Sequence, residues 1–83
     1  MEVQFIDAAK RIKTVEADID NETLLQFYAY YKQATVGDVN TPQPGMFDLK
    51  GKAKWNAWSG VKGLSKEEAM KKYVEVTAKY LNK

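Results

Sequence analysis

The most informative stretch of this chain is Tyr28-Ala-Tyr-Tyr-Lys-Gln-Ala-Thr-Val-Gly-Asp38. The residues around it predict a helix over residues 21–36, in which Tyr28, Tyr31 and Lys32 stand at i, i+3 and i+4 and share one face. That face carries two aromatic rings and a cation. Rings offer a stacking surface and an ammonium group donates to phosphate oxygens, so this combination suits a ligand with a heteroaromatic base and a phosphate, such as a nucleotide.

Length and composition limit what such a chain can be. Its 83 residues make one domain, 1–83, with a modest core. The absence of cysteine and histidine removes disulfides, thiolate metal sites, the commonest metal ligand and the commonest general base. We therefore expect no metal site and no cofactor, and the composition disfavours enzymatic activity. The net charge of +2 is too small for general attraction to nucleic acid or to a membrane, so any anion site must be local.

Hydropathy predicts a cytoplasmic protein without an integral membrane segment. The longest uninterrupted apolar or aromatic run is Phe27 to Tyr31, whereas a membrane-spanning helix needs about 20 residues. Charged residues interrupt the first fifteen positions, so no secretory pattern is visible there, and Glu2 stands where myristoylation requires glycine.

Periodicity predicts amphipathic helices. In the first, apolar residues at i, i+3, i+4 and i+7 fall on one face, which should enter the core; they are Phe5, Ala8, Ala9 and Ile12. Asp20 or Asn21 can cap the second helix, and Gly37 stands where a left-handed residue would end it. This second helix is apolar on more than one face. It therefore packs against helices on two sides or presents one side to a ligand.

The remaining pattern predicts an all-α, four-helix bundle. Residues 38–48 contain both prolines and are longer than usual helix connections, which favours an overhand connection between helices 2 and 3. Asp48 is a predicted N-cap for a third helix that ends near Gly60, and Ser65-Lys-Glu-Glu68 is a capping box that opens the fourth. We expect helix 4 to bury Ala69, Tyr73, Val76 and Tyr80.

Each aromatic or basic residue also has a purely structural interpretation. Taken singly, Tyr28, Tyr31 and Tyr73 are more often core aromatics than ligand contacts. Lone lysines are usually solvated surface charges. Trp55 and Trp58 look like a stacking pair, but core packing is the better interpretation, and we predict that both are scaffold residues.

Several segments of the sequence also resemble those of a known protein family. The chain closely resembles the acyl-CoA-binding protein (diazepam-binding inhibitor) family in five groups of residues. They are Phe5, Ala8, Ala9 and Lys13; Tyr31-Lys-Gln-Ala-Thr-Val-Gly-Asp38; Pro44-Gly45; Lys50-Gly-Lys-Ala-Lys-Trp-Asn-Ala-Trp58; and Ser65-Lys-Glu-Glu-Ala-Met-Lys-Lys-Tyr73. The resemblance implies an up-down-down-up bundle that binds medium- to long-chain fatty acyl-CoA, one ligand per domain. It further implies a non-enzymatic monomer that buffers and transports this ligand and delivers it to acyl-CoA-using enzymes.

The resemblance also implies roles for particular residues. Lys32, Lys54 and the hydroxyl of Tyr28 would bind the 3′-phosphate of the adenosine. Tyr31 would stack on adenine, and the two other head-group contacts would be Tyr73 at the ribose and Lys13 at the pyrophosphate. The acyl chain would lie in a groove bordered by helices 2 and 3. Its candidate lining residues are Leu24, Leu25 and Ala53.

Two other classes of function remain open at this point. A small interaction module could dock a partner helix on its aromatic face, although such a face would favour apolar and Met-rich surface without paired lysines. Single-stranded nucleic acid could stack on Tyr28 and Tyr31, but it needs a longer basic track than this chain offers.

Overall fold

A computed structural model describes residues 2–81, which form four α-helices and no strand. The helices are α1 (Glu2–Val15), α2 (Asn21–Thr35), α3 (Leu49–Ser59) and α4 (Lys66–Leu81), with a short 3-10 turn at Glu16–Asp18 after α1. The predicted all-α, four-helix class with a long connection between its second and third helices is confirmed. That connection covers residues 36–48, slightly more than predicted.

Side-chain caps fix where three of the helices begin. Asp20 caps α2 by accepting a hydrogen bond from the backbone N–H of Thr23 at 3.3 Å. Asp48 caps α3 through the N–H of Gly51. The Ser65 hydroxyl accepts from the N–H of Glu68 at 3.0 Å and opens α4. Each cap satisfies a backbone donor that has no partner within its own helix, so all three predicted starts are confirmed.

The core lies between α1, α2 and α4. Its buried residues are Phe5, Ala8, Ile12, Ile19, Phe27, Ala34, Ala69 and Tyr73. The predicted apolar face of α1 is confirmed except that Ala9 is only half-buried.

Helix α4 differs from the prediction at its C-terminal half. Ala69 and Tyr73 are buried, but Val76 and Tyr80 are half-buried at the margin of the core, and Thr77 occupies the buried position instead. Thr77 follows Tyr73 by one helical turn on the same face. Its hydroxyl donates to the backbone carbonyl of Tyr73 at 2.8 Å, so the polar atom is satisfied there.

The tryptophans fasten the long connection to α3. The indole Nε1 of Trp58 donates to the carbonyl oxygen of Gly37 at 2.8 Å, and Nε1 of Trp55 donates to that of Thr41 at 2.7 Å. Gly37 has a φ of +103°, a left-handed conformation that L side chains rarely adopt, and it ends α2 as predicted. Trp58 is 4% exposed. Core packing, predicted for both tryptophans, is seen for Trp58, whereas Trp55 is only half-buried. The bond from Trp58 joins α3 to the residue that ends α2.

A buried amide joins the end of α2 to the loop before α4. Gln33 is fully buried, and its Nε2 donates to the carbonyl oxygen of Leu64 at 2.7 Å and to Asp38 Oδ1 at 2.8 Å. Asp38 also accepts from the N–H of Gly63, and these two hydrogen bonds hold the pKa of its carboxyl below the usual 3.8. This contribution to stability is therefore present above pH 3.8 and is lost as the pH falls through the lowered pKa.

Candidate ligand-binding groove

An open groove of about 830 Å³ lies between α1, α2 and α4. It is the larger of the two cavities described for residues 2–81. Its lining residues are Glu2, Phe5, Ile6, Ala9, Lys10, Ile12, Lys13, Glu16, Leu24, Phe27, Tyr28, Tyr31, Ala34, Thr35, Lys66, Met70 and Tyr73. Four of the six predicted head-group residues are among them, namely Lys13, Tyr28, Tyr31 and Tyr73.

Four packed aromatic rings form one wall of the groove. The ring of Tyr31 stacks on Phe5 with centroids 5.6 Å apart and an interplanar angle of 28°. Tyr73 meets Phe5 at 5.0 Å and Phe27 at 5.2 Å, both edge to face. These contacts restrict the orientation of the rings. Tyr31 is 43% exposed, so its ring offers a fixed stacking surface in the groove. Tyr73 is 4% exposed and reaches the groove only in part.

The buried phenol of Tyr73 resists ionisation. Desolvation raises its pKa to about 12, and the neighbouring Tyr31 and Glu16 add to the shift. Tyr73 therefore stays a neutral hydroxyl in the groove throughout the physiological pH range.

Titration of tyrosinate absorbance should show one of the five tyrosines ionising late, near pH 12, because Tyr73 keeps its proton while the chain is folded. The folded-state pKa exceeds the ordinary value of 10.0, so the stability contributed by Tyr73 is present below pH 10 and is lost as the pH rises towards 12. Tyr73→Phe should abolish the late phase. Persistence of that phase in the variant, with native far-UV circular dichroism at the same pH, would contradict the assignment.

Charged residues border the groove. Besides the predicted Lys13, two further cations line it, Lys10 and Lys66, together with the carboxylates of Glu2 and Glu16. Lys10 lies three residues before Lys13 on α1, a helical spacing from which it could have been predicted. Lys66, the first residue of α4, comes to the groove through tertiary packing that the local sequence does not indicate.

Lys32 and Lys54 do not line the groove but lie where α2 and α3 meet. The Nζ atom of Lys54 is 5.5 Å from the centroid of the Tyr28 ring, and Nζ of Lys32 is 5.0 Å from that of Trp58. Each lysine thus lies over an aromatic ring of the opposite helix. Tyr28 belongs both to the groove and to the contact between α2 and α3, because its side chain lines the groove and its ring lies beneath the ammonium group of Lys54.

Only one of the three predicted acyl-groove residues lines this groove. Leu24 lines the groove formed with α1 and α4. Leu25 and Ala53 are half-buried and lie outside it. The groove in the structure is therefore bordered by α1, α2 and α4, whereas the predicted acyl groove was bordered by helices 2 and 3.

The charges of this region are available to an anion. Within residues 2–81, no carboxylate lies within 4.0 Å of the ammonium group of Lys13, Lys32 or Lys54.

The same residues contain no cluster of three or more potential metal ligands. None of the described helices is both long and apolar enough to cross a membrane. A small helical domain with an aromatic-walled apolar groove and unpaired lysines beside it has the features suited to binding an amphipathic anion.

Comparison with known proteins identifies the family. The family model described as "Acyl CoA binding protein" matches residues 2–77. "Acyl-CoA-binding protein homolog 1" of Caenorhabditis elegans is 54% identical, over 96% of this chain and 98% of the relative. The crystal structure of Oryza sativa Acyl-CoA-Binding Protein 2 matches with a TM-score of 0.93 at 46% identity, covering 98% of this chain and 90% of the other. The structure from Moniliophthora perniciosa matches at 0.87 and 39% identity, covering 99% and 92%. The chain belongs to the acyl-CoA-binding protein family.

Proposed function

We propose that this chain binds medium- to long-chain fatty acyl-CoA esters, one ligand per domain, and buffers and transports them without enzymatic chemistry. The observation that carries the proposal is the position of Tyr28, whose side chain lines the apolar groove and lies beneath the cation of Lys54. A single ligand with an apolar part and a phosphate can therefore contact both regions at once. Membership of the family supports the same ligand class.

The head group is assigned to the residues on either side of Tyr28. Lys32 and Lys54, with the Tyr28 hydroxyl, bind the 3′-phosphate of the adenosine. Two cations and a hydroxyl suit a dianion, and no neighbouring carboxylate competes for these two ammonium groups within the described chain.

The remaining head-group contacts lie in the groove. The adenine stacks on Tyr31, the ring with the most exposed surface in the aromatic wall. Tyr73 meets the ribose through the part of its side chain that reaches the groove, and Lys13 on α1 neutralises the pyrophosphate.

The acyl chain supplies affinity by leaving water. Leu24, Leu25 and Ala53 are the proposed contacts, on a path that crosses from the groove over α2 towards α3. Each methylene removed from water contributes about 0.8 kcal/mol, which is about fourfold in affinity. Affinity should rise with chain length until the apolar path is filled and should then level off.

Isothermal titration calorimetry of delipidated protein tests the proposal directly. Palmitoyl-CoA should bind tightly with one-to-one stoichiometry, while CoA alone and free palmitate should each bind far more weakly, because each uses only part of the site. Shortening the chain by two methylenes should weaken binding by about 16-fold where both enter the apolar path.

Two outcomes would contradict the proposal. If folded, delipidated protein bound no palmitoyl-CoA, the chain would serve another ligand, and docking of a partner helix would become the leading interpretation. If CoA alone bound as tightly as the thioester, the acyl path would have no role.

The proposed unit is a single domain over residues 1–83 that acts as a monomer and passes its ligand to acyl-CoA-using enzymes.

A further inference from the structure

Two lysines of α1 line the groove from the same side of the helix. Lys10 and Lys13 stand at i and i+3, so they are neighbours on the helix surface, with Cβ atoms about 5–6 Å apart. Both residues are exposed. Like charges at neighbouring positions destabilise a helix slightly. The stability of α1 therefore does not explain why two cations stand side by side at the groove.

The surroundings of Lys10 leave its charge available to a ligand. Asp7 is the nearest carboxylate along α1, and its Oδ2 atom is 3.1 Å from Nε of Arg11, which engages it. The positions four residues before and after Lys10, where a carboxylate could pair with it, hold Ile6 and Thr14. Among the described residues, no carboxylate lies within 4.0 Å of the Lys10 ammonium group. This group can therefore bind an anion in the groove.

The charge of the proposed ligand calls for a second cation beside Lys13. The diphosphate of a CoA ester carries two negative charges, whereas Lys13 supplies one positive charge. Glu16 follows Lys13 by three residues and also lines the groove, so it adds a negative charge nearby. In the proposed site, Lys32 and Lys54 are already matched to the 3′-phosphate. One more cation is needed at α1 to balance the diphosphate.

Lys66 is the other additional cation of the groove, but its side chain lies at a different place. Its Cε atom is 3.7 Å from the position that a Cβ on Gly37 would occupy, so the side chain runs past the C-terminal end of α2. The carbonyl groups at the end of a helix carry partial negative charge and favour a nearby cation. Lys66 therefore has a structural role that Lys10 lacks.

We propose that Lys10 is the second cation of the diphosphate site and binds the diphosphate together with Lys13. The inference rests on the proposed function, since it assigns a further residue to the same acyl-CoA site. Each ammonium group has three donors, so two of them can divide the oxygen atoms of both phosphates. Lys10 should therefore contribute to the affinity for every thioester that carries a diphosphate, and nothing to the affinity for a thioester of pantetheine, which has no phosphate.

Calorimetry with three palmitoyl thioesters tests the proposal. They are the thioesters of CoA, of dephospho-CoA, which keeps the diphosphate but lacks the 3′-phosphate, and of pantetheine. Lys10→Gln should weaken binding of the first two by about fivefold each, the size expected for one exposed ion pair, and leave the third unchanged. The loss should shrink at high salt. Lys72→Gln is the matched control, because Lys72 is an exposed lysine of α4 that does not line the groove, and it should bind all three thioesters as wild type does.

Urea unfolding without ligand separates this role from a structural one. Lys10→Gln should unfold at the wild-type midpoint or slightly above it, because the substitution relieves repulsion from Lys13. Weaker ligand binding by a variant of unchanged stability would support a direct contact with the ligand.

Three results would overturn the role of Lys10 while leaving the proposed function intact. The first is equal affinity of wild type and Lys10→Gln for palmitoyl-CoA. The second is a loss seen with the CoA ester but not with the dephospho-CoA ester, which would place Lys10 at the 3′-phosphate. The third is equal weakening by Lys10→Gln and Lys72→Gln, which would indicate a general effect of net charge. Failure of the folded wild-type protein to bind palmitoyl-CoA would instead contradict the proposed function, and this inference with it.

Discussion

Trp58→Ala should lower the free energy of unfolding by about 3–5 kcal/mol, because it removes a large, well-packed aromatic side chain. Trp58 is 4% exposed, and its indole donates to the carbonyl oxygen of Gly37 at 2.8 Å. Small domains are stable by about 5–15 kcal/mol in all, so this loss is a large fraction of the total. Urea unfolding followed by far-UV circular dichroism measures it as a lower midpoint.

Two further variants separate the causes of that loss. Trp58→Phe keeps most of the apolar ring but removes the hydrogen bond to Gly37, and its cost should be about 1–3 kcal/mol. Trp55→Ala is the matched control, because Trp55 is also an α3 tryptophan bonded to the connection but is only half-buried. Its midpoint should fall less than that of Trp58→Ala. Equal midpoints for Trp58→Ala and wild type would show that Trp58 does not fasten α3 to α2.

The helices and their starts could be predicted because their signals are local. Asp20, Asp48 and Ser65 each bond a backbone N–H three residues away, so the residue type and the next few positions contain the whole interaction. The apolar face of α1 follows from helical spacing in the same way. The long connection was visible from its prolines, and its length predicted a crossover.

The location of the groove could not be predicted, because it depends on tertiary packing. Helix α2 is apolar on two sides, and the sequence does not say which side faces α3 and which faces α1 and α4. The long connection leaves α3 free to lie on either side until Trp58 bonds Gly37. That contact joins residues 21 positions apart. Leu25 and Ala53 lie outside this groove, and their contact with the acyl chain stays a prediction.

Buried polar residues were missed for a related reason. Gln33 is fully buried because its amide bonds the carbonyl oxygen of Leu64, 31 positions later. Glutamine is mostly an exposed residue type, so sequence favours the opposite placement. Thr77 likewise enters the core only because it bonds the preceding helical turn. In both cases a hydrogen bond offsets the cost of burying a donor, although the Oε1 atom of Gln33 is buried without a hydrogen-bond partner.

Lys54→Ala should weaken palmitoyl-CoA binding by about tenfold to a hundredfold, the range expected for losing a charge-assisted hydrogen bond of roughly 1.5–3 kcal/mol. The Lys54 side chain is exposed, and its Nζ lies 5.5 Å from the centroid of the Tyr28 ring. Its loss should therefore leave the urea midpoint almost unchanged. Calorimetry at low and high salt measures the effect, which should diminish as salt screens the charge.

Lys52→Ala is the matched control for that measurement, because it removes a lysine from the same helix, two positions away, without touching the proposed site. It should bind palmitoyl-CoA as wild type does. Tyr28→Phe then keeps the ring beneath Lys54 and removes only the hydroxyl that the proposal assigns to the 3′-phosphate. If both groups bind that phosphate, dephospho-CoA esters should bind wild type, Lys54→Ala and Tyr28→Phe with nearly equal affinity, while the intact esters separate them. Equal weakening by Lys54→Ala and Lys52→Ala would instead indicate a general effect of net charge, and the assignment of Lys54 to the phosphate would be wrong.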